Sequence, residues 1–376
     1  MTEGELRAFF EELHRHPELA MEEKRTTGLV ENALKRAGIA VLPSGLPTGL
    51  IAVLPGAKPG RVIGLRADMD ALPIQEESGL DYASQEAGKM HACGHDFHTA
   101  CMLGAALLIK ERERELAGTV KIVFQPAEET AAGGRVVAAQ EALQDVNEFY
   151  ACHTYPGFPA GTLGIKPGPV MAAPDRFMIR IQGRGAHAGN PHLGRDPIPA
   201  AAALALSAQT LVSRYKDAFE PAVLSITHVQ AGETWNVVPQ EALLEGTLRT
   251  LNEGLRREMI ARLNDLAQST AQGFGCTAET EWEIGPGPVI NDEALCSFAA
   301  QTAARLGFAV GVQDNTMGGE DFSEYLKRCP GLFIRVGTGG GYSNHHPMFT
   351  ADPAALWPAA QFFAELALRR ACADTQ

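Results

Sequence analysis

The chain has 376 residues, 45% hydrophobic and 20% charged, with 32 Lys+Arg against 45 Asp+Glu and a formal net charge of −13. That is the profile of a soluble globular protein, and its acidity, with no Lys/Arg cluster, excludes an electrostatic nucleic-acid partner and an anionic membrane surface. Single cores stop growing at about 250–300 residues, so this length predicts two domains, or one domain carrying a large insertion.

Residues 3–37 carry helical periodicity, broken by His14-Arg15-His16-Pro17-Glu18 and closed by Gly38 in a C-cap position; two helices with a joint are expected. From Leu50 the texture changes to short apolar runs, 50–54 and 62–65, each followed by turn residues as buried strands would be. A helix at 98–113, a strand at 120–125, a helix at 134–143 and a strand at 148–153 continue a β/α alternation that implies a mostly parallel sheet covered on both faces. Between Asp175 and about Thr280 the order changes to strand 176–183, helix 197–213, strands 222–230 and 241–249, helix 252–272 and strand 277–283. This β-α-β-β-α-β series is that of a ferredoxin-like domain. Its borders, Lys166-Pro167-Gly168-Pro169 and Gly285-Pro286-Gly287-Pro288, read as linkers around an insertion, with Pro167, Gly168, Gly285 and Gly287 as hinge candidates. A helix at 291–306, a strand at 331–336, a Gly-rich turn at 337–341 and a helix at 354–370 return to the first domain. No stretch reaches the roughly 18 apolar residues of a membrane span, the first residues lack a signal-peptide pattern, and seven scattered cysteines suit a reducing compartment, so a cytoplasmic location is expected.

Chemistry-bearing side chains collect where strands end. Asp68 and Asp70 follow the strand that ends near Leu65, although turn aspartates after a strand are common for loop reasons alone. His91, Cys93, His95, Asp96 and His98 fall within nine residues before a helix. Residues two apart in an extended loop face the same side, so Cys93 and His95 can aim at one ion; without a CxxC pair, a catalytic metal loop is preferred over a structural zinc knuckle. Glu128 and Glu129 end the strand stopped by Pro126, and adjacent side chains pointing opposite ways can divide into a metal ligand and a general base. His153 ends the next strand, and His345 and His346 follow the Gly-rich turn. These donors are numerous enough for two metal ions.

The stretches HRHPEL at 14–19, RADMDALP at 66–73, MHACGHDFHTA at 90–100, FQPAEE at 124–129, GRGAHAGNPHLGRDPI at 183–198, NVVP at 236–239 and GGEDF at 318–322 together resemble the M20-type metallohydrolases. The likeness is to the amidohydrolase branch that includes hippurate hydrolases, N-acyl-amino-acid deacylases and plant auxin-conjugate hydrolases. It implies an α/β fold: a mostly parallel-sheet, zinc-peptidase-like catalytic domain in two parts, residues 1–172 and 287–376, around an inserted ferredoxin-like α+β dimerisation and lid domain at 173–286. It implies Cys93, His95, Glu129, His153 and His345 as ligands, with Cys93 bridging two divalent ions of Zn, Mn, Co or Ni. Asp70 matches a carboxylate that orients the site. In the family one His precedes a small residue and Pro; this chain reads His345-His346-Pro347, where spacing from the proline favours His345 and His346 competes.

By the same resemblance Glu128 is the general base that takes a proton from metal-activated water and returns it to the departing amine. His187 stabilises the oxyanion, and Asn236 and Arg249 hold the substrate. Residue type alone leaves Arg249 as a solvated edge-strand charge and His187 as a turn residue. The expected substrates are N-acyl-L-amino acids, the expected assembly a homodimer or higher homo-oligomer without nucleic acid or membrane. The alternatives are an N-acetyl-diaminopimelate deacetylase, a dipeptidase, or an inactive metal-binding homologue that binds ligands.

Overall fold

A computed structural model describes residues 1–312 and 314–372, which divide into two compact units. The first comprises Met1–Val170, Ile290–Asp314 and the chain from Asp321 onward. The second comprises Met171–Val289, together with the short segment Asn315–Glu320.

In the first unit an eight-stranded sheet runs in the order Ala40–Leu42, Leu50–Pro55, Ala117–Gln125, Lys58–Asp68, Glu148–Tyr155, Gly331–Gly337, Thr162–Gly164, Ala309–Gly311. The four central strands are mutually parallel, whereas Leu50–Pro55 and Thr162–Gly164 join them antiparallel from either side. The central strands read Val-Ile-Gly-Leu, Val-Lys-Ile-Val-Phe and Leu-Phe-Ile because they are covered on both faces. The helix His95–Glu111 is buried along almost its whole length, and it packs against the final helix Leu356–Ala371 and against Glu3–Arg15. Because the central strands share one direction, the residues after Asp68, Gln125, Tyr155 and Gly337 all emerge at the same edge of the sheet, where open α/β sheets carry their sites.

The second unit is a four-stranded antiparallel sheet in the order Ala222–Ala231, Glu241–Thr250, Ala173–Gln182, Thr277–Glu283, with helices Pro197–Thr210 and Glu253–Gly273 packed on it. In chain order the strands lie 2-3-1-4, the ferredoxin-like arrangement that the β-α-β-β-α-β reading implies. Phe177, Ile179 and Ile181 alternate inward with Ala242, Leu244 and Leu248 to make its separate core. Gly285, a hinge candidate, is tied down within this unit: its N–H donates to Asp175 and its carbonyl accepts from Arg256.

Some details differ from the sequence reading. The expected helix at 134–143 is a short helix Gly133–Ala138 and a 3₁₀ turn Glu141–Leu143, separated at Gln140, whose ψ of 136° is extended. The helix from Pro197 keeps α geometry only to Thr210 and continues as a π turn through Leu211–Tyr215. The strands Ala40–Leu42, Thr162–Gly164 and Ala309–Gly311 were not expected, because three residues are too few to show alternation. Among the described residues no helix is long and apolar enough to cross a membrane.

Candidate metal centre

Asp70 organises the edge of the sheet. Its two oxygens accept the backbone N–H groups of Glu128 and Glu129, each at 3.0 Å, and Oδ1 lies 3.3 Å from Nδ1 of His95. One carboxylate thus fixes two consecutive peptides and leaves Nε2 of His95 facing away from it. The turn that presents the two glutamates is braced from behind by buried Glu23, which accepts Ala127 N–H at 2.9 Å and the Thr48 hydroxyl at 2.7 Å. Ala127 itself holds a left-handed φ of 55°.

Cys93 precedes Gly94, whose φ of 85° and contact with Thr154 leave no room for a side chain: a Cβ there would stand 2.6 Å from Thr154 Oγ1. This bend lets Cys93 and His95 face one space. Cys93 Sγ lies 3.4 Å from Nε2 of His153, whose Nδ1 is 2.8 Å from the Thr154 carbonyl and therefore carries the proton. The His345 backbone N–H donates to the Ala92 carbonyl at 2.8 Å, and its φ of 67° swings the imidazole to 3.5 Å from Glu129.

These side chains form two donor triads that share the thiol, Cys93–His95–His153 and Cys93–Glu129–His345, each with its ligand atoms within 4.8 Å of one another. Glu128 joins His95 and Glu129 within the same limit. Nε2 of His95 and Oε1 of Glu129 are buried without a hydrogen-bond partner among the described residues and stand 3.8 Å apart. Two buried acceptor atoms held so close, beside a thiol and a second imidazole, suit a cation between them.

Electrostatics point the same way. Burial pushes the Cys93 thiol well above its ordinary pKa, with Glu129 adding to the shift against His95. Such a thiol ionises only against a cation. Burial also holds His153 well below its ordinary value, so it is a neutral imidazole with a lone pair on Nε2. Burial raises Glu129, while His95 overcomes its own burial through Asp68 and Cys93 and is raised well above the usual range, so its Nε2 becomes an acceptor only as a cation displaces its proton.

Several residues of the motifs are supports. His98 is fully used: Nδ1 meets Asp68 at 2.5 Å and Nε2 accepts Thr154 N–H at 2.7 Å. Asp68 also takes Arg66 at 2.6 Å, and the buried Arg66 continues to Gln125 and Asp321. Asp321, whose pKa burial lifts to about 6 against Arg66, accounts for part of the GGEDF stretch. His14, of the HRHPEL stretch, sits 2.6 Å from Asp96 and 3.1 Å from Glu76. His346 stacks on Tyr342 and accepts Met348 N–H, whereas His345 joins the donors.

His187, Asn236 and Arg249 all belong to the second unit. His187 is exposed and accepts Gly189 N–H on Nδ1 at 3.0 Å, which leaves Nε2–H as a donor when the ring is neutral. The adjacent Ala188 N–H bonds the Asn236 carbonyl, so two of the three come from one small ladder. Arg249 stands on the interior strand Glu241–Thr250, not on an edge, and its burial lowers the guanidinium pKa. Sequence reasoning missed the roles of Asn344, which binds the Cys93 carbonyl, and of Gln125 and Glu23; Asn344 lies beside His345 and Gln125 within FQPAEE, whereas Glu23 belongs to no motif.

Residues 64–369 match the peptidase family M20/M25/M40. The chain belongs to this family. As a member it is a hydrolase acting on amide bonds that uses two divalent metal ions. It is 45% identical over 358 residues to the N-acetylcysteine deacetylase of Bacillus subtilis (strain 168), covering 95% of this chain and 94% of the relative. It is 41% identical over 280 residues to the N-acyl-L-amino acid amidohydrolase of Geobacillus stearothermophilus, covering 74% and 76%. Among solved structures, a dinuclear metal-binding M20 peptidase from Bacillus subtilis superposes with a TM-score of 0.90 at 42% identity, covering 98% of both chains.

Proposed function

We propose that this M20 hydrolase cleaves the amide bond of N-acyl-L-amino acids, with Cys93, His95, Glu129, His153 and His345 holding two divalent ions and Glu128 serving as general base. The observation that carries the reading is the placement of Glu128. Asp70 fixes its backbone together with that of Glu129, and its carboxylate comes within 4.8 Å of the His95 and Glu129 donor atoms. Ions in such a nest supply Lewis acidity, making water acidic near neutral pH and polarising an acyl carbonyl.

Glu128 then accepts the proton of the attacking water and passes it to the amine nitrogen as the C–N bond breaks. Asp70 keeps the base and the ligand Glu129 in register. His187, through Nε2–H, is assigned the developing oxyanion. Arg249, lacking a carboxylate within ion-pair distance among the described residues, is assigned the substrate carboxylate, which its planar guanidinium can bind through both oxygens, and Asn236 is assigned a separate contact to the substrate. The names of the relatives, a deacetylase of N-acetylcysteine and an N-acyl-amino-acid amidohydrolase, support this substrate class.

All seven cysteines are free, which supports a cytoplasmic location. A homodimer through the second unit is supported by the edge strand Ala222–Ala231 and by exposed Leu206 and Phe219. The deciding experiment pairs metal analysis with ninhydrin detection of amine released from a panel of N-acyl amino acids and dipeptides. Glu128→Gln is expected to keep its metal and lose about 100- to 10,000-fold in kcat; a metal-loaded variant of near-normal rate refutes the base.

A further inference from the structure

We infer that Thr154 is a positioning residue that locks the two donor triads together through a single hydrogen-bonded junction, an inference that rests on the ligand set proposed above. Thr154 is completely buried. Each of its polar atoms engages a segment that carries or supports a donor. Its N–H donates to Nε2 of His98 at 2.7 Å, and its carbonyl faces Nδ1 of His153 at 2.8 Å. Its hydroxyl donates to the Cys93 carbonyl at 2.8 Å and accepts from Nδ2 of Asn344 at 3.2 Å. Asn344 also reaches the Cys93 carbonyl, at 3.1 Å.

The three residues of this junction are a proposed ligand, the residue after a ligand and the residue before one: Cys93, Thr154 beside His153, and Asn344 beside His345. They come from a loop before a helix, a strand end and a distant turn, so nothing local holds them in register. His153 belongs to one triad, His345 to the other, and Cys93 to both. The hydroxyl therefore joins the triads behind the ligands, and the absence of a side chain at Gly94 lets it sit there. Support of this kind fixes ligand direction, and its loss typically lowers metal affinity 10- to 100-fold.

The test uses the full chain, stripped with a chelator and titrated with Co²⁺. It follows the thiolate-to-cobalt charge-transfer band and measures affinity by competition with a chromophoric chelator. Thr154→Val keeps shape and removes the hydroxyl; Thr154→Ser keeps the hydroxyl. Thr154→Val should bind at least one Co²⁺ 10- to 100-fold more weakly with an altered band, while Thr154→Ser stays within about threefold of the parent. A folded Thr154→Val of parental affinity overturns the proposal, as does a Thr154→Ser variant that binds as weakly as Thr154→Val. Should Thr154→Val not fold, Asn344→Ala, at a half-exposed position, reads the same junction: tenfold weakening supports it and unchanged affinity overturns it. If the parent protein lacks the thiolate band, the assignment of Cys93 fails first and the junction falls with it; a parental band with unaffected variants defeats the junction alone.

Discussion

Oδ1 of Asp70 lies 3.3 Å from Nδ1 of His95, and the same carboxylate binds the peptides of Glu128 and Glu129. An amide at this position keeps the shape but offers one acceptor where two N–H groups compete with the imidazole. Asp70→Asn should lower metal affinity about 10- to 100-fold and reduce kcat, because ligand and base are both misdirected. Isothermal titration with Zn²⁺ checks the first effect; parental affinity would show that Asp70 does not orient the ligands.

Gly94 has a left-handed backbone and touches Thr154. Gly94→Ala combines the cost of left-handed backbone with overpacking against a buried residue and should destabilise the fold by about 2 kcal/mol or more. Chemical denaturation of the metal-free chain measures it. A loss below about 0.5 kcal/mol would mean the bend yields easily.

His14 supplies a pH dependence. Burial opposes its charge, but Asp96 and Glu76 outweigh burial and lift the pKa from 6.5 to about 9. A raised folded-state pKa gives stability that is complete below the unfolded value, near 6.5, and is lost as pH rises through about 9. The two carboxylates, held below their ordinary values, act in the opposite sense and lose their contribution only as the solution is acidified. Thermal melting of the parent should fall between pH 7 and 9, and His14→Gln should flatten that slope. Parallel slopes for the two proteins would remove His14 as the cause.

Arg249 separates binding from metal chemistry. Arg249→Ala should reduce kcat/KM roughly 10- to 100-fold, mainly through KM, the size of a lost charge-assisted hydrogen bond. Metal content should not change, and Arg249→Lys should recover only part of the loss because its ammonium cannot bind two oxygens in a plane. Unaltered KM for an N-acyl amino acid would move the substrate carboxylate elsewhere.

Strand texture, Gly-Pro borders and the β-α-β-β-α-β order were enough to read the two architectures, since buried parallel strands and half-buried antiparallel ones differ in periodicity. Cys93, His95, Glu128 and Glu129 stood out as candidates because they crowd into short motifs. His153 and His345 are lone residues whose relation to the motifs depends on which strands become neighbours, and there the family likeness chose. Of the support network only Asp70 was singled out beforehand, through the family likeness: Glu23 beneath Ala127, Asn344 against Cys93, and Arg66 reaching Asp321 across 255 positions are contacts made by tertiary packing. The short edge strands escaped for want of length, and the break at Gln140 because one extended residue leaves little mark on helical periodicity.

Ala127 and His345 both carry left-handed backbone without being glycine. Each such residue costs on the order of 1–3 kcal/mol relative to a relaxed conformation, so the fold keeps elastic tension on both sides of the charge it gathers. That tension is released only when the surrounding bonds let go. Stripped of its cations, the protein should therefore surrender deuterium-exchange protection at these two bends before its sheet loosens, giving metal loss a local structural signature ahead of any melting.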